Sequence, residues 1–177
     1  MCARIVYEFQ FVEEDGTVWK PSVQGAVWQP RVRGGQGMIS QDERAALERA
    51  ACDSRDRAYA PYSSFRVGAA VLGESGAIYQ GGNIENASYG LTVCAERVAI
   101  FQAIAAGERH LRAVAVCTEA GVAPCGPCRQ VMREFAEDMP VYLLDARGNG
   151  RETSLQALLP NSFGPEDLEK EIRDRRF

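Results

Sequence analysis

Three cysteines and one glutamate in the middle of the chain have the residue types and the spacing of a catalytic metal site. Cys125 and Cys128 have the separation of a metal-binding pair at a helix start, and Cys94 lies about thirty residues upstream. Structural zinc sites normally have four protein ligands, whereas catalytic sites keep one position for water. A fourth cysteine at a matching spacing is missing, and Glu96 stands two residues after Cys94 instead. The pattern therefore predicts a metal that activates water, with a carboxylate beside it as a proton shuttle.

Two other interpretations of these residues stay open on the pattern alone. A Cys-x-x-Cys pair is also typical of redox proteins, but that function leaves Cys94 and Glu96 without a role. A non-catalytic zinc-binding module would need a fourth ligand. The single histidine, His110, lies at the end of a predicted helix and is interpreted as a surface or capping residue. The glutamate and the missing fourth ligand favour the catalytic site.

The other three cysteines have simpler explanations. The first residues, MCARIVYEFQ, do not have the pattern of a secretory signal, which favours thiols and metal ligands over disulfides. Cys52 and Cys117 lie in a predicted helix and a predicted strand, where a cysteine usually behaves as a small buried hydrophobic residue. Cys2, near the terminus, is interpreted as incidental.

Composition and charge favour a small ligand. The chain has 177 residues, of which 46% are hydrophobic, and one domain is the expectation at this length. Its longest apolar run falls well short of the ~20 residues of a membrane span. The net charge is −4, and the one basic cluster, RDRR at 173–176, is interleaved with acidic residues. Polyanion-binding proteins usually concentrate positive charge. We therefore expect a cytoplasmic protein without a nucleic-acid or membrane partner.

Helices and strands alternate from residue 40 onwards. Ser40 and Glu43 form a capping box that starts a helix ending at about Arg57. The further predicted elements are strands at 66–73 and 77–83, a helix at about 94–106, a strand at 111–118, a helix at about 126–136, a strand at 141–145, a short helix in SLQALL and a last helix from Pro165. The two first strands are predicted to pair as a hairpin, and 111–118 to be buried on both faces. This order predicts a three-layer α/β sandwich.

Residues 1–37 are interpreted as an N-terminal extension, and 38–177 as the domain that carries the site. The segment YEFQFVEEDGTVWK alternates weakly and is compatible with a hairpin around Asp15 and Gly16. Two explanations of the extension stay open. Either Met38, just before the capping box, is the true start of the protein, or the extension is a short accessory hairpin with a packing role.

Three segments around these residues resemble the short, single-domain cytidine deaminases of nucleoside salvage. They are APYSSFRVGAAV, GGNIENASYGLTVCAERVAI and PCGPCRQVMREF, and the resemblance extends from about Ser40 to Phe163. CAE followed by PCGPC is similar to the zinc deaminase signature in its three-cysteine form. The resemblance implies an α/β fold, a three-layer α-β-α sandwich with a mixed five-stranded sheet. It also implies hydrolysis of cytidine and 2′-deoxycytidine to uridine and 2′-deoxyuridine in pyrimidine salvage.

The resemblance implies a catalytic role for each residue around the metal. Cys94, Cys125 and Cys128 would bind Zn²⁺, and Glu96 would be the general acid and base. The carboxylate would take a proton from zinc-bound water, deliver it to N3 of cytosine, and then protonate the leaving ammonia. Arg97 would hydrogen-bond a thiolate and withdraw charge, because zinc with three thiolates is formally negative and the site needs compensation.

Four further positions are implied to contact the substrate. Asn83 and Glu85 would hydrogen-bond the ribose hydroxyls, Phe65 would stack on the pyrimidine, and the backbone of Ala95 would read the edge of the base. A charged acceptor such as Glu85 suits a hydroxyl and repels a sugar phosphate, which favours a nucleoside over a nucleotide.

The resemblance finally implies a homotetramer with shared active sites, in which Tyr89 and Phe163 reach into the site of a neighbouring subunit. An alternative function is a deaminase of the same superfamily that acts on another cytosine-containing substrate, such as a polynucleotide or an antibiotic nucleoside. The acidic balance, the intact NIEN segment and the lack of a basic cluster suited to a polyanion weigh against it. Turnover of free nucleosides distinguishes the two.

Overall fold

The chain forms two compact units, Met1–Gly34 and Gly35–Phe177. The computed structural model describes residues 11–12, 18–19 and 38–168. In the first unit, β1 (Phe11–Val12) pairs antiparallel with β2 (Val18–Trp19). This pairing agrees with the predicted hairpin, whose turn at 15–16 lies outside the described residues. The basic cluster at 173–176 and Cys2 also lie outside them.

The second unit is built on a mixed sheet of five strands, as predicted. The strands are β3 (Gly68–Gly73), β4 (Ile78–Gly82), β5 (Leu111–Cys117), β6 (Pro140–Leu144) and β7 (Gly150–Ser154). Their order across the sheet is β4-β3-β5-β6-β7. β5 and β6 run parallel, and the other neighbours are antiparallel. Parallel neighbours need a crossover connection, and the segment that connects β5 to β6 contains Cys125 and Cys128.

Four helices are assigned in the described part of this unit. They are α1 (Gln41–Arg55), α2 (Ala95–Ala105), α3 (Gly126–Phe135) and α4 (Leu155–Leu158). Residues 165–168 are also helical, in agreement with the predicted helix from Pro165. Within the described ranges, no helix has both the length and the apolar character needed to cross a membrane.

The sheet separates two helical layers because side chains along a strand alternate between its faces. On β3, Ala70 and Leu72 pack with Leu47 of α1 in one cluster of buried residues. Their neighbours Ala69 and Val71 belong to a second cluster, which contains the buried hydrophobic residues of α2 and α3. The result is the predicted three-layer α-β-α sandwich, with both faces of the central strands buried.

The helix α1 begins as the sequence predicts. The Ser40 hydroxyl accepts a hydrogen bond from the Glu43 backbone N–H at 3.1 Å, and the Glu43 carboxylate accepts one from the Ser40 backbone N–H at 2.9 Å. Glu43 also pairs with Arg112 of β5 at 2.6 Å, which ties the start of the helix to the sheet. The helix ends at Arg55, two residues before the predicted end.

The strand β7 is not among the elements predicted from the sequence. Its residues, GRETS, are mostly polar, and the first three are exposed. An edge strand pairs through its backbone with one neighbour only, so its side chains need not be apolar. Glu152 lies opposite Tyr142 of β6, and this register is set by the sheet and not by a local hydrophobic pattern.

Candidate metal centre and active site

Three cysteine sulfur atoms converge where two helices begin. Cys94 is the N-cap residue of α2, Cys125 is the N-cap residue of α3, and Cys128 lies in the first turn of α3. The Sγ atoms of all three lie within 4.8 Å of one another. Cys94 and Cys125 are 3.9 Å apart, and Cys125 and Cys128 are 3.4 Å apart. The structure thus brings together the three residues that the sequence predicts as metal ligands.

The chemistry of this donor set fits a zinc ion. Thiolates are preferred zinc ligands, and three of them leave a fourth position for water. Hydrogen bonds from Cys128 and Arg97 lower the pKa of Cys94 to about 5. Cys94 is therefore a thiolate at neutral pH, the form that binds a metal. The hydrogen bond with Cys94, together with burial, raises the pKa of Cys128.

Glu96 lies in the first turn of α2 and is only 4% exposed. It lines a cavity of about 270 Å³ together with Cys94 and Cys125. Burial is the main cause that raises the pKa of this carboxyl group above its usual value. A carboxyl group with a raised pKa beside a metal-ligating cluster is suited to accept and donate a proton during a reaction.

Arg97 adds positive charge to the cysteine cluster. Its Nη2 atom donates to the Cys94 sulfur at 3.8 Å and to the carbonyl oxygen of Thr92 at 3.2 Å. The Nε atom is buried and has no hydrogen-bond partner among the described residues. The side chain is half-buried, so its charge acts on the sulfur with limited screening by water.

Phe65 and Asn83 line the same cavity, and the structure links them in a way that sequence reasoning missed. The side chain of Phe65 is 49% exposed, whereas Asn83 is only 7% exposed. The Asn83 Oδ1 atom accepts from the backbone N–H of Val67 at 2.8 Å, and Nδ2 donates to the carbonyl oxygen of Phe65 at 2.9 Å. The amide therefore holds the segment that presents the aromatic ring, in addition to the ribose contact predicted for it.

Glu85 also lines the cavity, on the side of the loop before Phe65. One carboxylate oxygen accepts from the backbone N–H groups of Tyr62 at 2.8 Å and Ser63 at 3.3 Å. The Ser63 hydroxyl donates to the other oxygen. These hydrogen bonds lower the pKa of Glu85, and the one from the Ser63 hydroxyl has the largest effect. The carboxylate therefore remains a hydrogen-bond acceptor at neutral pH. Ser63 belongs to the segment APYSSFRVGAAV, but the sequence predicted no role for it.

Three predicted contacts lie outside the cavity lining. Ala95 is buried between Cys94 and Glu96 at the start of α2. Tyr89 and Phe163 are 74% and 57% exposed, and neither side chain lines the cavity of its own chain. Thr118, by contrast, lines the cavity from the end of β5 without having been predicted. The only local sequence signal for it is its position at the end of the buried strand predicted at 111–118.

The cysteines at 52 and 117 lie apart from this cluster. The Cys52 and Cys117 sulfur atoms are 2.8 Å apart between α1 and β5, and burial raises the pKa of Cys117 to about 12. Cys117 is buried, as predicted, and Cys52 is half-buried. His110 is half-buried immediately before β5, and its carbonyl oxygen accepts from the Glu74 backbone N–H at 3.1 Å.

Comparison with known proteins agrees with this geometry. The family described as "Cytidine and deoxycytidylate deaminase zinc-binding region" matches residues 41–144, a range that contains the three cysteines and Glu96. The chain belongs to the class of zinc-dependent deaminases, because two of its helices begin at cysteines that lie together beside a buried glutamate. Within that class it belongs to the cytidine deaminase family.

Relatives of known name align over most of their length. The cytidine deaminase of Sporosarcina psychrophila is 52% identical over 118 residues, which cover 65% of this chain and 87% of the relative. The cytidine deaminase of Halalkalibacterium halodurans is 48% identical over 129 residues, 71% of this chain and 98% of the relative. The crystal structure of cytidine deaminase from Burkholderia pseudomallei superposes with a TM-score of 0.65 at 47% identity, and covers 71% of this chain and 100% of that one.

Proposed function

We propose that the protein hydrolyses cytidine and 2′-deoxycytidine to uridine and 2′-deoxyuridine, with release of ammonia, in pyrimidine salvage. The observation that carries the proposal is that Cys94, Cys125, Glu96, Phe65 and Glu85 line one and the same cavity. It offers a metal site, a proton shuttle, an aromatic surface and a sugar-binding carboxylate to one small ligand. The relatives named cytidine deaminase, at about half identity, support the same reaction.

The chemistry at the base is assigned to Glu96. Cys94, Cys125 and Cys128 would hold Zn²⁺, which when bound supplies a Lewis acid that activates water. The Glu96 carboxylate accepts a proton from the attacking water and donates it to N3 of the cytosine ring. It then takes the second proton of that water, from the hydroxyl group now bonded to C4, and delivers it to the amino group, which leaves C4 as ammonia. Burial raises the pKa of Glu96, which favours the protonated form that this double role requires.

Binding of the nucleoside is assigned to residues on the opposite side of the cavity. The half-exposed ring of Phe65 provides a surface on which a pyrimidine can stack. Glu85 accepts hydrogen bonds from the sugar hydroxyls, and Asn83 forms hydrogen bonds with them as well. The backbone of Ala95 contacts the edge of the base. Because Glu85 is ionised, a sugar phosphate next to it would be repelled, so the substrate class is a nucleoside.

We also propose that the active protein is a cytoplasmic homotetramer with shared sites. The exposed aromatic rings of Tyr89 and Phe163 support an assembly in which they contact a neighbouring subunit. Size-exclusion chromatography with light scattering measures the mass directly. A monomeric protein with full activity would contradict shared sites.

Residues 38–177 are proposed to carry the whole activity, and residues 1–37 to be an extension of it. The family match from residue 41 supports this division. A chain that begins at Met38 should turn over cytidine at the rate of the full chain. A large loss of kcat in the shortened chain would instead assign the extension a role in the site.

The proposed reaction can be tested by following ultraviolet absorbance after cytidine is added to the purified protein, with and without a zinc chelator. Loss of the cytosine band with formation of uridine, inhibited by the chelator, is expected. An unchanged spectrum with both cytidine and 2′-deoxycytidine, despite one bound zinc per chain, would contradict the proposal. It would point to another cytosine-containing substrate for the same site.

A further inference from the structure

One serine hydroxyl connects the two parts of the cavity that are assigned to the sugar and to the base. The Ser63 Oγ atom donates to a carboxylate oxygen of Glu85 and accepts from the backbone N–H of Phe65 at 3.0 Å. The second oxygen of Glu85 is held by the backbone N–H groups of Tyr62 and Ser63. The carboxylate and the aromatic ring are therefore attached to one short turn of the chain.

The backbone within this turn adopts a costly conformation. Ser64, between the two residues that the hydroxyl connects, has a φ of 56°, in the left-handed region that residues other than glycine seldom occupy. Such a conformation persists when the surrounding contacts hold it in place. The hydrogen bond from Phe65 N–H to the Ser63 hydroxyl spans Ser64 and closes the turn around it, as serine side chains do in tight turns.

The far side of the same segment is held independently. Asn83 is hydrogen-bonded to the backbone of Phe65 and Val67, and it lies next to β4. The position of the ring is thus fixed from the strand side by Asn83. On the other side, the Ser63 hydroxyl bonds the Glu85 carboxylate and the Phe65 backbone at the same time, and so links the carboxylate directly to the residue that carries the ring.

We propose that Ser63 is a positioning residue for substrate specificity, whose hydroxyl sets the placement of the Glu85 carboxylate relative to the Phe65 ring. Recognition of the sugar and stacking of the base then depend on each other through one side chain. This inference rests on the proposed function, since it assigns Glu85 to the sugar and Phe65 to the base. Ser63 acts on KM and on the choice of ligand, because the proton shuttle and the cysteines lie on other elements.

A second serine makes the same pair of contacts away from the cavity. The Ser75 hydroxyl donates to the carboxylate of Glu108 and accepts from the backbone N–H of Ala77 at 3.2 Å. It lies in the turn between β3 and β4, and neither Ser75 nor Glu108 lines the cavity. Ser75→Ala therefore removes an equivalent serine–glutamate bond and an equivalent turn closure, which makes it a matched control for Ser63→Ala.

The test measures steady-state kinetics with cytidine and the inhibition constant of 2′,3′-dideoxycytidine, which lacks the hydroxyls that Glu85 would bind. Ser63→Ala should raise KM for cytidine by about ten-fold, the loss of one charge-assisted hydrogen bond, and leave kcat nearly unchanged. The inhibition constant of the dideoxynucleoside should rise less. Ser63→Thr, which keeps a hydroxyl, should restore most of the affinity. Adding Ser63→Ala to Glu85→Gln should have little further effect, because the serine acts through the carboxylate.

The outcomes separate this inference from the proposed function. If the wild-type protein turns over cytidine and Ser63→Ala has the wild-type KM, the inference is overturned and the proposed function stands. Equal kinetic losses in Ser63→Ala and Ser75→Ala would also overturn it, since they would indicate a general loss of stability. A fall in kcat without a change in KM would contradict it as well. A wild-type protein that leaves cytidine unchanged would overturn both.

Discussion

Cys94 and Cys125 occupy equivalent positions on two helices, and their sulfur atoms meet 3.9 Å apart. Each residue is the N-cap of its helix, and neither side chain makes a capping hydrogen bond. The first turns of both helices present unpaired backbone N–H groups and the positive ends of the helix dipoles. Zinc with three thiolates is formally −1, so this placement supplies compensating positive charge at the point where thiolates must form.

Removal of one sulfur should abolish stoichiometric metal binding. Cys128 is fully buried, and its replacement leaves two thiolates for a metal that prefers four-coordinate sites. Elemental analysis should give about one zinc per chain for the wild type and far less for Cys128→Ala, with loss of turnover. Cys52→Ala removes a thiol outside the cluster and should keep the metal. Full zinc content in Cys128→Ala would contradict the ligand assignment.

Glu96→Gln should separate metal binding from catalysis. The substitution keeps the shape of the side chain but removes its ability to carry a proton, so kcat should fall by about 10²–10⁴-fold while zinc content and the melting temperature are kept. Glu108→Gln is the control, because Glu108 is also a buried glutamate but lies in the connection between α2 and β5, where its carboxylate accepts a hydrogen bond from Ser75. It should retain most of the turnover. A Glu96→Gln variant with normal kcat would contradict the proton-shuttle assignment.

The elements that could be predicted from the sequence are those whose cause is local. The capping box of Ser40 and Glu43 involves residues three apart, and the apolar segment of β5 carries its own signal of burial on both faces. The fifth strand could not be assigned this way. Its residues pair with β6 through the backbone, and the hydrogen-bonding partner, not the side chains, determines that they are extended.

The residues of the site also divide into those that a local motif predicts and those that only tertiary contacts bring together. Cys94 and Glu96 lie close together at one helix start, and Cys125 and Cys128 at another, so two short local motifs reveal them. The amide of Asn83 contacts Phe65 and Val67 because the β3–β4 register places Gly68 opposite Gly82 and so brings the flanking residues side by side. A contact between residues that far apart in the chain depends on tertiary structure. The hydrogen bond between Ser63 and Glu85 has the same origin.

Arg97→Gln should slow the reaction and leave substrate affinity almost unchanged. The guanidinium group lies 3.8 Å from the Cys94 sulfur, and its loss would leave more negative charge on the metal ligands. Changes of this kind next to a metal ligand typically cost about 10- to 100-fold in activity or metal affinity, so kcat should fall within that range. Arg109→Gln, an arginine that binds carbonyl oxygens at the end of α2, is the control. An unchanged kcat and zinc affinity in Arg97→Gln would rule out a charge-tuning role.

Glu43, the glutamate of the α1 capping box, should make the stability of the fold depend on pH between about 4.5 and 2. Hydrogen bonds from Arg112 and Ser40 lower the pKa of Glu43 from 4.5 to about 2 in the folded protein. Because the folded pKa is depressed, the stabilising contribution is present above pH 4.5 and is lost as the pH falls towards 2. The melting temperature of the wild type should therefore exceed that of Glu43→Gln at neutral pH, and the difference should shrink below about pH 4.5.

The partner residue provides the control for this effect. In an Arg112→Gln background, Glu43→Gln should produce a smaller difference at neutral pH, because the largest cause of the lowered pKa has been removed. Comparing variants at the same pH cancels any loss of metal that acid causes in both. A difference between wild type and Glu43→Gln that stays constant from neutral pH to pH 3, or grows as the pH falls, would show that the carboxylate does not stabilise the fold through its charge.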